Sequence, residues 1–478
     1  MVGALTVACA LVACGSRSPA APSNPLTTEL SYLPANSPLV MMLATDPSSG
    51  AVKNANALLG KFEVAGFLES ALKQKLQQEG INYDTDIRPL LGNPVVLGTS
   101  QPTLSGSNPP FIAAWVTKDA GALTALVNKK DAGARKVGTH DGATIYSFRT
   151  GALAIDGATA VIADTPAKVD AALDRHADNT GMTQSVYSQE VAGLPKTPLF
   201  EVFGDLKETL STPQAASARR VPWVAALDGY AVAFSAGSSG LELDYRLDTT
   251  GQALTAAQLP IAAGSTPPGL ITSGAGSLGL RDPAQLISFV ESAEQAANPT
   301  GLASFLKGVA AIRAKTGVDV NSLLSQLSGD LVSTSQGHTD LVRAAVSSPT
   351  AVSQMFAKLQ SHLRSLSPKL SATSIGAGFY ALKEGSKTYN VGVVGNQIVA
   401  GNATPAALRQ FAAEPVAPAA GAHGALAFRV SLQQALHLTG NLVHAPEATL
   451  ILSQLGDVTG WLSASPGALT GSATLSIK

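Results

Sequence analysis

The residues in this chain whose types could do chemistry are seven histidines, one close pair of aspartates and one glycine-rich run. The histidines are His140, His176, His338, His362, His423, His437 and His444. No two have the i,i+4 spacing that sets two imidazoles on one helical face, and no H-E-x-x-H occurs. His437 and His444 could share a helical face, but Gly440 lies between them, so solvated histidines are expected. Asp84 and Asp86 form a D-x-D without the further oxygen ligands of a calcium loop, which favours a cap cluster ahead of Ile87-Arg88-Pro89 over a cation site. Gly274-Ala275-Gly276-Ser277-Leu278-Gly279 fits G-x-G-x-x-G, whose glycines must open a helix if they are to cradle a pyrophosphate. Here the helix is expected only at Asp282-Pro283, so the glycines are placed in a strand with a close neighbour. Gly376-Ala377-Gly378 is weaker still, because strand-like Phe379-Tyr380 follows. No G-x-S-x-G elbow or Walker run is present. A triad assembled from distant residues would be recognisable only by geometry. The expectation is a non-enzymatic protein with no catalytic, cofactor-binding or metal residues.

Composition narrows the class. The 478 residues are 45% hydrophobic and 14% charged, enough apolar material to build a core and too much for wholesale disorder. The 32 Lys and Arg against 33 Asp and Glu leave no cationic surplus for displacing counterions from phosphate, so no nucleic-acid partner is expected. The 45 glycines and 28 prolines point to many turns and short elements.

Residues 1–13 are apolar and uncharged, too short a run to span a bilayer as a helix and suited to a secretory signal. They end in Leu11-Val12-Ala13-Cys14, which resembles the lipobox of bacterial lipoproteins: small residues admit the peptidase, and the cysteine thiol takes the diacylglycerol. Cys14 is therefore the expected lipidation site, and residues 14–29, rich in Pro, Ser and Ala, are the expected tether to the membrane. The other cysteine, Cys9, lies in the signal, so the body has no thiol for disulfide, redox or metal chemistry.

The body reads as written twice, because five segment pairs recur in order about 226 to 239 residues apart. Asp46-Pro47 matches Asp282-Pro283, and Asp86–Leu91 matches Asp319–Leu324. Val161-Ile162-Ala163 with Thr165-Pro166-Ala167 matches Ile398-Val399-Ala400 with Thr404-Pro405-Ala406. Leu199–Leu210 matches Ala425–Leu436, and Gly229–Leu247 matches Gly460–Ile477. On this alignment Val161 stands where Ile398 does, Leu206 where Leu432 does, and Tyr230 where Trp461 does. Asp46, Asp282, Thr165 and Thr404 each precede proline, an N-cap pattern, and Asp205 and Ser431 cap in the same way.

Apolar stripes at helical spacing run along Val64, Phe67, Leu68, Ala71 and Leu72, along Leu286, Phe289, Val290 and Ala293, and along Leu302, Phe305, Leu306, Val309 and Ile312. Alternating strands close each half at Leu241–Leu247 and Ala473–Ile477, and meanders are expected over Thr144–Ala163 and Ser374–Ala400. The fold class is α+β: two tandem, similar repeats, each a mainly antiparallel sheet with helices packed on one face. The boundaries are 1–13 signal, 14–29 tether, 30–252 first repeat, 253–263 linker and 264–478 second repeat.

Leu30–Pro38 (LSYLPANSP), following a lipobox, and Asp86–Gly92 (DIRPLLG) resemble a bacterial lipoprotein family known only as a domain of unknown function. The resemblance implies no activity and no functional residue beyond Cys14. Arg219-Arg220 before Val221-Pro222-Trp223 could meet phospholipid headgroups, although a surface loop with a half-buried tryptophan accounts for it more simply. The expectation is an extracytoplasmic lipoprotein, anchored to the cell membrane through Cys14, that binds an apolar ligand such as a lipid. The alternatives are a scaffold for envelope components, or a hydrolase with an unrecognised site.

Overall fold

The computed structural model describes residues 24–62, 65–99, 110–129, 135–148, 151–366, 370–434 and 451–478. The chain divides into two compact units. Unit 1 is Met1–Ser211 with Asp228–Arg246 and Ile477, and unit 2 is Thr212–Leu227 with Leu247–Ser476 and Lys478. Both are α+β, built on antiparallel sheet. No helix among the described residues is long and apolar enough to cross a membrane.

In unit 1 the strands are β1 (Leu39–Leu43), β2 (Val95–Thr99), β3 (Phe111–Val116), β4 (Arg135–His140), β5 (Ala143–Phe148), β6 (Gly151–Asp156), β7 (Thr159–Ala163), β8 (Phe200–Asp205), β9 (Gly229–Ala236) and β10 (Gly240–Asp248). They lie in the order β4-β5-β6-β7-β3-β2-β1-β8-β9-β10, antiparallel from β4 through β9. The helices are α1 (Pro25–Ser31), α2 (Gly50–Leu59), α3 (Ala65–Gln78), α4 (Ala120–Lys129), α5 (Pro166–Ala177), α6 (Gln184–Glu190) and α7 (Lys207–Ser211).

Unit 2 has α8 (Pro222–Ala225), α9 (Pro283–Ala297), α10 (Pro299–Thr316), α11 (Val320–Leu324), α12 (Pro349–Leu366) and α13 (Pro405–Ala413). Its strands are β11 (Gly276–Arg281), β12 (Leu327–Gln336), β13 (Thr339–Val346), β14 (Leu370–Gly376), β15 (Phe379–Glu384), β16 (Lys387–Val394), β17 (Gln397–Gly401), β18 (Leu426–Ser431), β19 (Leu455–Ser465) and β20 (Ala468–Ile477). Their order is β14-β15-β16-β17-β13-β12-β11-β18-β19-β20, antiparallel from β14 through β19.

Helices cover both faces of the sheet in each unit, not one face as expected. In β7, Val161 and Ala163 join a core with Val169, Ala172 and Leu173 of α5, while Ala160 and Ile162 join another with Leu123, Leu126 and Val127 of α4. Successive strand residues point to opposite faces, so two cores on alternating residues mean two covered faces. In β12 the same division sends Leu331 toward Leu286 of α9 and Val332 toward Leu408 and Phe411 of α13. The alternation of the closing strands suggests one wet face. The near-continuous apolar runs at Val40–Leu43 and Phe111–Val116 are the signature of burial on both.

Several boundaries also differ. Residues 25–29, read as tether, belong to α1, whose Glu29 and Leu30 are buried. Residues 253–263, read as linker, put Leu254, Leu259 and Ile261 into the core of unit 2. Asp46 accepts from the amide and hydroxyl of Ser48, and the helix starts later with Ser49 as its cap. Asp282 is left-handed (φ 48°) and makes no cap hydrogen bond, whereas Thr404 Oγ1 accepts from the Ala407 amide. The strand expected over Ser374–Ala381 is broken at Ala377-Gly378, the turn between β14 and β15. The stripe on α3 leaves Phe67 exposed at 74%.

Candidate functional site

The site is assembled from registers in unit 2. Phe428 of β18, Leu278 of β11, Ser333 of β12, Val342 of β13 and Ala400 of β17 are successive cross-strand partners. Partners in register share a face, so the five form a row perpendicular to the strands. Two residues along β11, Leu280 lies in a core with Leu286 of α9, but Leu278 is 37% exposed. The row therefore floors an open trough, which with Tyr389 (40% exposed) on β16 encloses about 610 Å³. Gly460 of β19 stands opposite Phe428, and a Cβ there would come within 2.5 Å of the phenyl ring, so glycine lets that ring lie across the neighbouring strand. Ser335 and Asp340 line the rim. The Arg429 guanidinium donates to Asp457 (2.7 Å) and to the Thr272 carbonyl (2.8 Å). A larger cleft of about 910 Å³ adjoins the end of α13, and three of its polar side chains are joined to one another. Gln336 donates to Ser273 (3.1 Å), which donates to Glu414 (2.5 Å). The trough, with its part-exposed apolar row, is the better candidate for a ligand site.

Buried titratable groups lie elsewhere and hold elements together. Glu29 of α1 is fully buried, accepts one hydrogen bond from the Val116 amide (2.9 Å), and is pushed up to about 9 by burial. Its other oxygen has no protein partner. Glu201 is raised by burial and accepts from the Tyr187 hydroxyl at 2.6 Å. Tyr32 donates to Asp156 (2.8 Å) and stacks on His176, whose Nδ1 lies 2.6 Å from Ser31 Oγ. That serine donates to the Thr28 carbonyl (2.6 Å), so the Ser–His pair fastens α1 to α5. Arg343 of β13 is buried and donates to the carbonyls of Phe411, Ala412 and Glu414, where α13 ends. Ser31 and Tyr32 lie in the Leu30–Pro38 stretch that carries the family resemblance and His176 is one of the seven histidines, but no sequence pattern singles out Glu29 or Arg343.

The candidates read from the sequence are scattered over the two units and are not brought together. Asp86 accepts from Lys129 (2.5 Å) and from the Asn82 amide (2.7 Å), and Asp84 lies 3.5 Å from Lys73. Asn82, not an aspartate, is the cap there. His140 Nε2 lies 2.5 Å from Asp174 and 3.7 Å from Asp141, and the Asp174 hydrogen bond raises its pKa. These three have ligand atoms within 4.8 Å of one another and could hold a metal, but the His140–Asp174 ion pair accounts for the arrangement. His423 meets Trp461 edge-on. His437, His444 and Cys14 lie outside the described residues. The G-x-G-x-x-G run enters β11, where a Cβ on Gly279 would come within 2.7 Å of the Gly269 carbonyl. Arg219 and Arg220 are exposed, and Trp223 packs edge-on against Phe289. An S-x-x-K spacing at Ser70–Lys73 is exposed on α3, with the hydroxyl donating to the Gly66 carbonyl and the ammonium paired with Glu69 at 3.0 Å.

Fold and site together define an α+β protein of antiparallel sheets with an apolar trough in one unit. The chain belongs to the family described as protein of unknown function (DUF3352), whose model matches residues 1–363. No curated protein matches it. Among solved structures it is similar to TP0453 in crystal form III, at 11% identity over 48% of this chain and 82% of that one, with a TM-score of 0.27. Crystal form IV gives 11% identity over 46% and 80%, with a TM-score of 0.28.

Proposed function

We propose that this protein is an extracytoplasmic lipoprotein, anchored through Cys14, that binds an apolar ligand in the trough of unit 2 and performs no reaction on it. The observation that carries the reading is the row from Phe428 to Ala400, apolar except for Ser333 and part-exposed beside a stretch that α9 covers. Exposed apolar surface confined to a concavity is what a ligand of the same character would cover. The anchor rests on the Leu11–Cys14 motif.

We also propose that the two units are copies of one fold. In support, raising each strand number of unit 1 by ten reproduces the order in unit 2. Thr165 and Thr404 precede helices at matching places, after β7 and after β17. The registers amend the residue matches. Val161 and Val399 are the pair facing α5 and α13, so Ile398 belongs with Ala160. Trp461 pairs with Ala427, and the counterpart of that pair is Ala233 with Glu201, so Tyr230 belongs with Val458.

An apolar dye that brightens on leaving water tests the ligand reading. It should bind the full chain, and Leu278→Lys, a change at a part-exposed position, should weaken binding at least ten-fold. Equal binding by the variant would rule the trough out as the site. A scaffold reading is favoured by one observation, the exposure of Phe67 and Leu59 on unit 1.

A further inference from the structure

We infer that the ligand is a single acyl chain carrying an uncharged, hydroxyl-bearing head, and that the trough sets an upper limit on its length. This rests on the apolar-ligand reading and goes beyond it in naming the ligand class. The registers allow a comparison of the same row in both units. In unit 2 it runs Phe428, Leu278, Ser333, Val342, Ala400. In unit 1 it runs Val202, Met41, Leu97, Ala113, Ile162. Where unit 1 has leucine and isoleucine, unit 2 has serine and alanine, and these two positions floor the trough. Two floor side chains of the trough are thus small where the first unit carries branched ones, while Phe428 and Val342 are larger than their counterparts Val202 and Ala113.

The shape follows from the same row. It crosses five neighbouring strands, and from Val342, two residues along from Asp340, to Phe428 is three strand spacings, roughly 14 Å, the reach of an extended chain of about eleven carbons. Phe428 lies at one end, and at the other Ala400 is followed by buried Val391 of β16, with Tyr389 lining the trough two residues away. A trough floored by a single row of side chains, with a phenyl ring at one end, suits one unbranched chain better than a flat polycyclic ligand. The rim adds the head. Ser335 and Asp340 lie beside the row, and the cation lining the trough, Arg429, is engaged by Asp457 and backbone carbonyls. A hydroxyl can donate to Asp340, whereas a carboxylate or phosphate would meet a like charge.

The test is displacement of the apolar dye from the full chain by monoacylglycerols of eight to eighteen carbons, below their micelle concentrations. Affinity should rise roughly ten-fold for every two carbons, as buried methylenes do, and then stop rising near about eleven carbons. Ser333→Leu with Ala400→Ile restores the residues of unit 1 and should weaken the longer chains at least ten-fold. Phe428→Ala, which opens one end, should move the plateau to longer chains, so a folding failure in one variant leaves the other decisive. The matching fatty acids should bind more weakly, and Asp340→Asn should narrow that gap. Displacement with no plateau, or a plateau unmoved by both variants, would overturn the length limit and leave the apolar-ligand reading standing. Dye binding that no monoacylglycerol displaces would overturn the acyl chain. Failure of the dye to bind at all would overturn the reading beneath both.

Discussion

Glu29 is the residue where burial has the plainest energetic consequence. A carboxyl raised from 4.5 to about 9 keeps its proton in the folded state over a range where the unfolded chain has released it. Its contribution is therefore complete below about pH 4.5 and declines as pH rises, by roughly 1.4 kcal/mol per pH unit, until the folded group ionises near 9. Glu29→Gln keeps an acceptor for the Val116 amide and cannot ionise. Denaturant melts at pH 5 and pH 8 should show the variant gaining on the parent chain at the higher pH, and an unchanged difference would refute the buried acid. Nothing in the sequence marks this residue, because a glutamate beside a Pro- and Ser-rich stretch reads as solvated. Its burial depends on β3, far along the chain, supplying the amide that it receives.

At the scale of elements, long-range packing settles what local pattern leaves open. The G-x-G-x-x-G run reads as strand because its helix signal comes too late, and β11 lies there with Gly279 pressed against the Gly269 carbonyl. The meander at β5 to β7 is legible from its turns. The second covered face is not, since an apolar run buried on both sides resembles any buried segment. The trough is unreadable for a related reason: Ser333 and Ala400 become neighbours of Leu278 and Val342 only through register. Arg343 shows how such contacts fix a helix. Its guanidinium closes the C-terminal carbonyls of α13 from a strand across the core and lies 5.3 Å from the Phe411 ring. A lysine cannot serve three carbonyls in a plane. Arg343→Lys should cost about 1–3 kcal/mol in a denaturant melt, and hydrogen exchange should speed up first in α13. Uniform acceleration across unit 2 would argue against this capping role.

The whole molecule, on this reading, joins three parts: a Cys14 anchor, two units on one plan, and a ligand in only the second. On the same proposal, copies of a fold need not keep the same side chains along one row, and Ser333 and Ala400 are the differences that the double variant tests. The central claim is the bound apolar ligand, and native mass spectrometry of the full chain, purified from its own membrane in mild detergent, tests it most directly. The expected result is one non-covalent apolar adduct per chain, in addition to the covalent lipid mass on Cys14, with the adduct lost in Ser333→Leu/Ala400→Ile. A parent chain that carries no such adduct, or an adduct that persists unchanged in the filled variant, would contradict it.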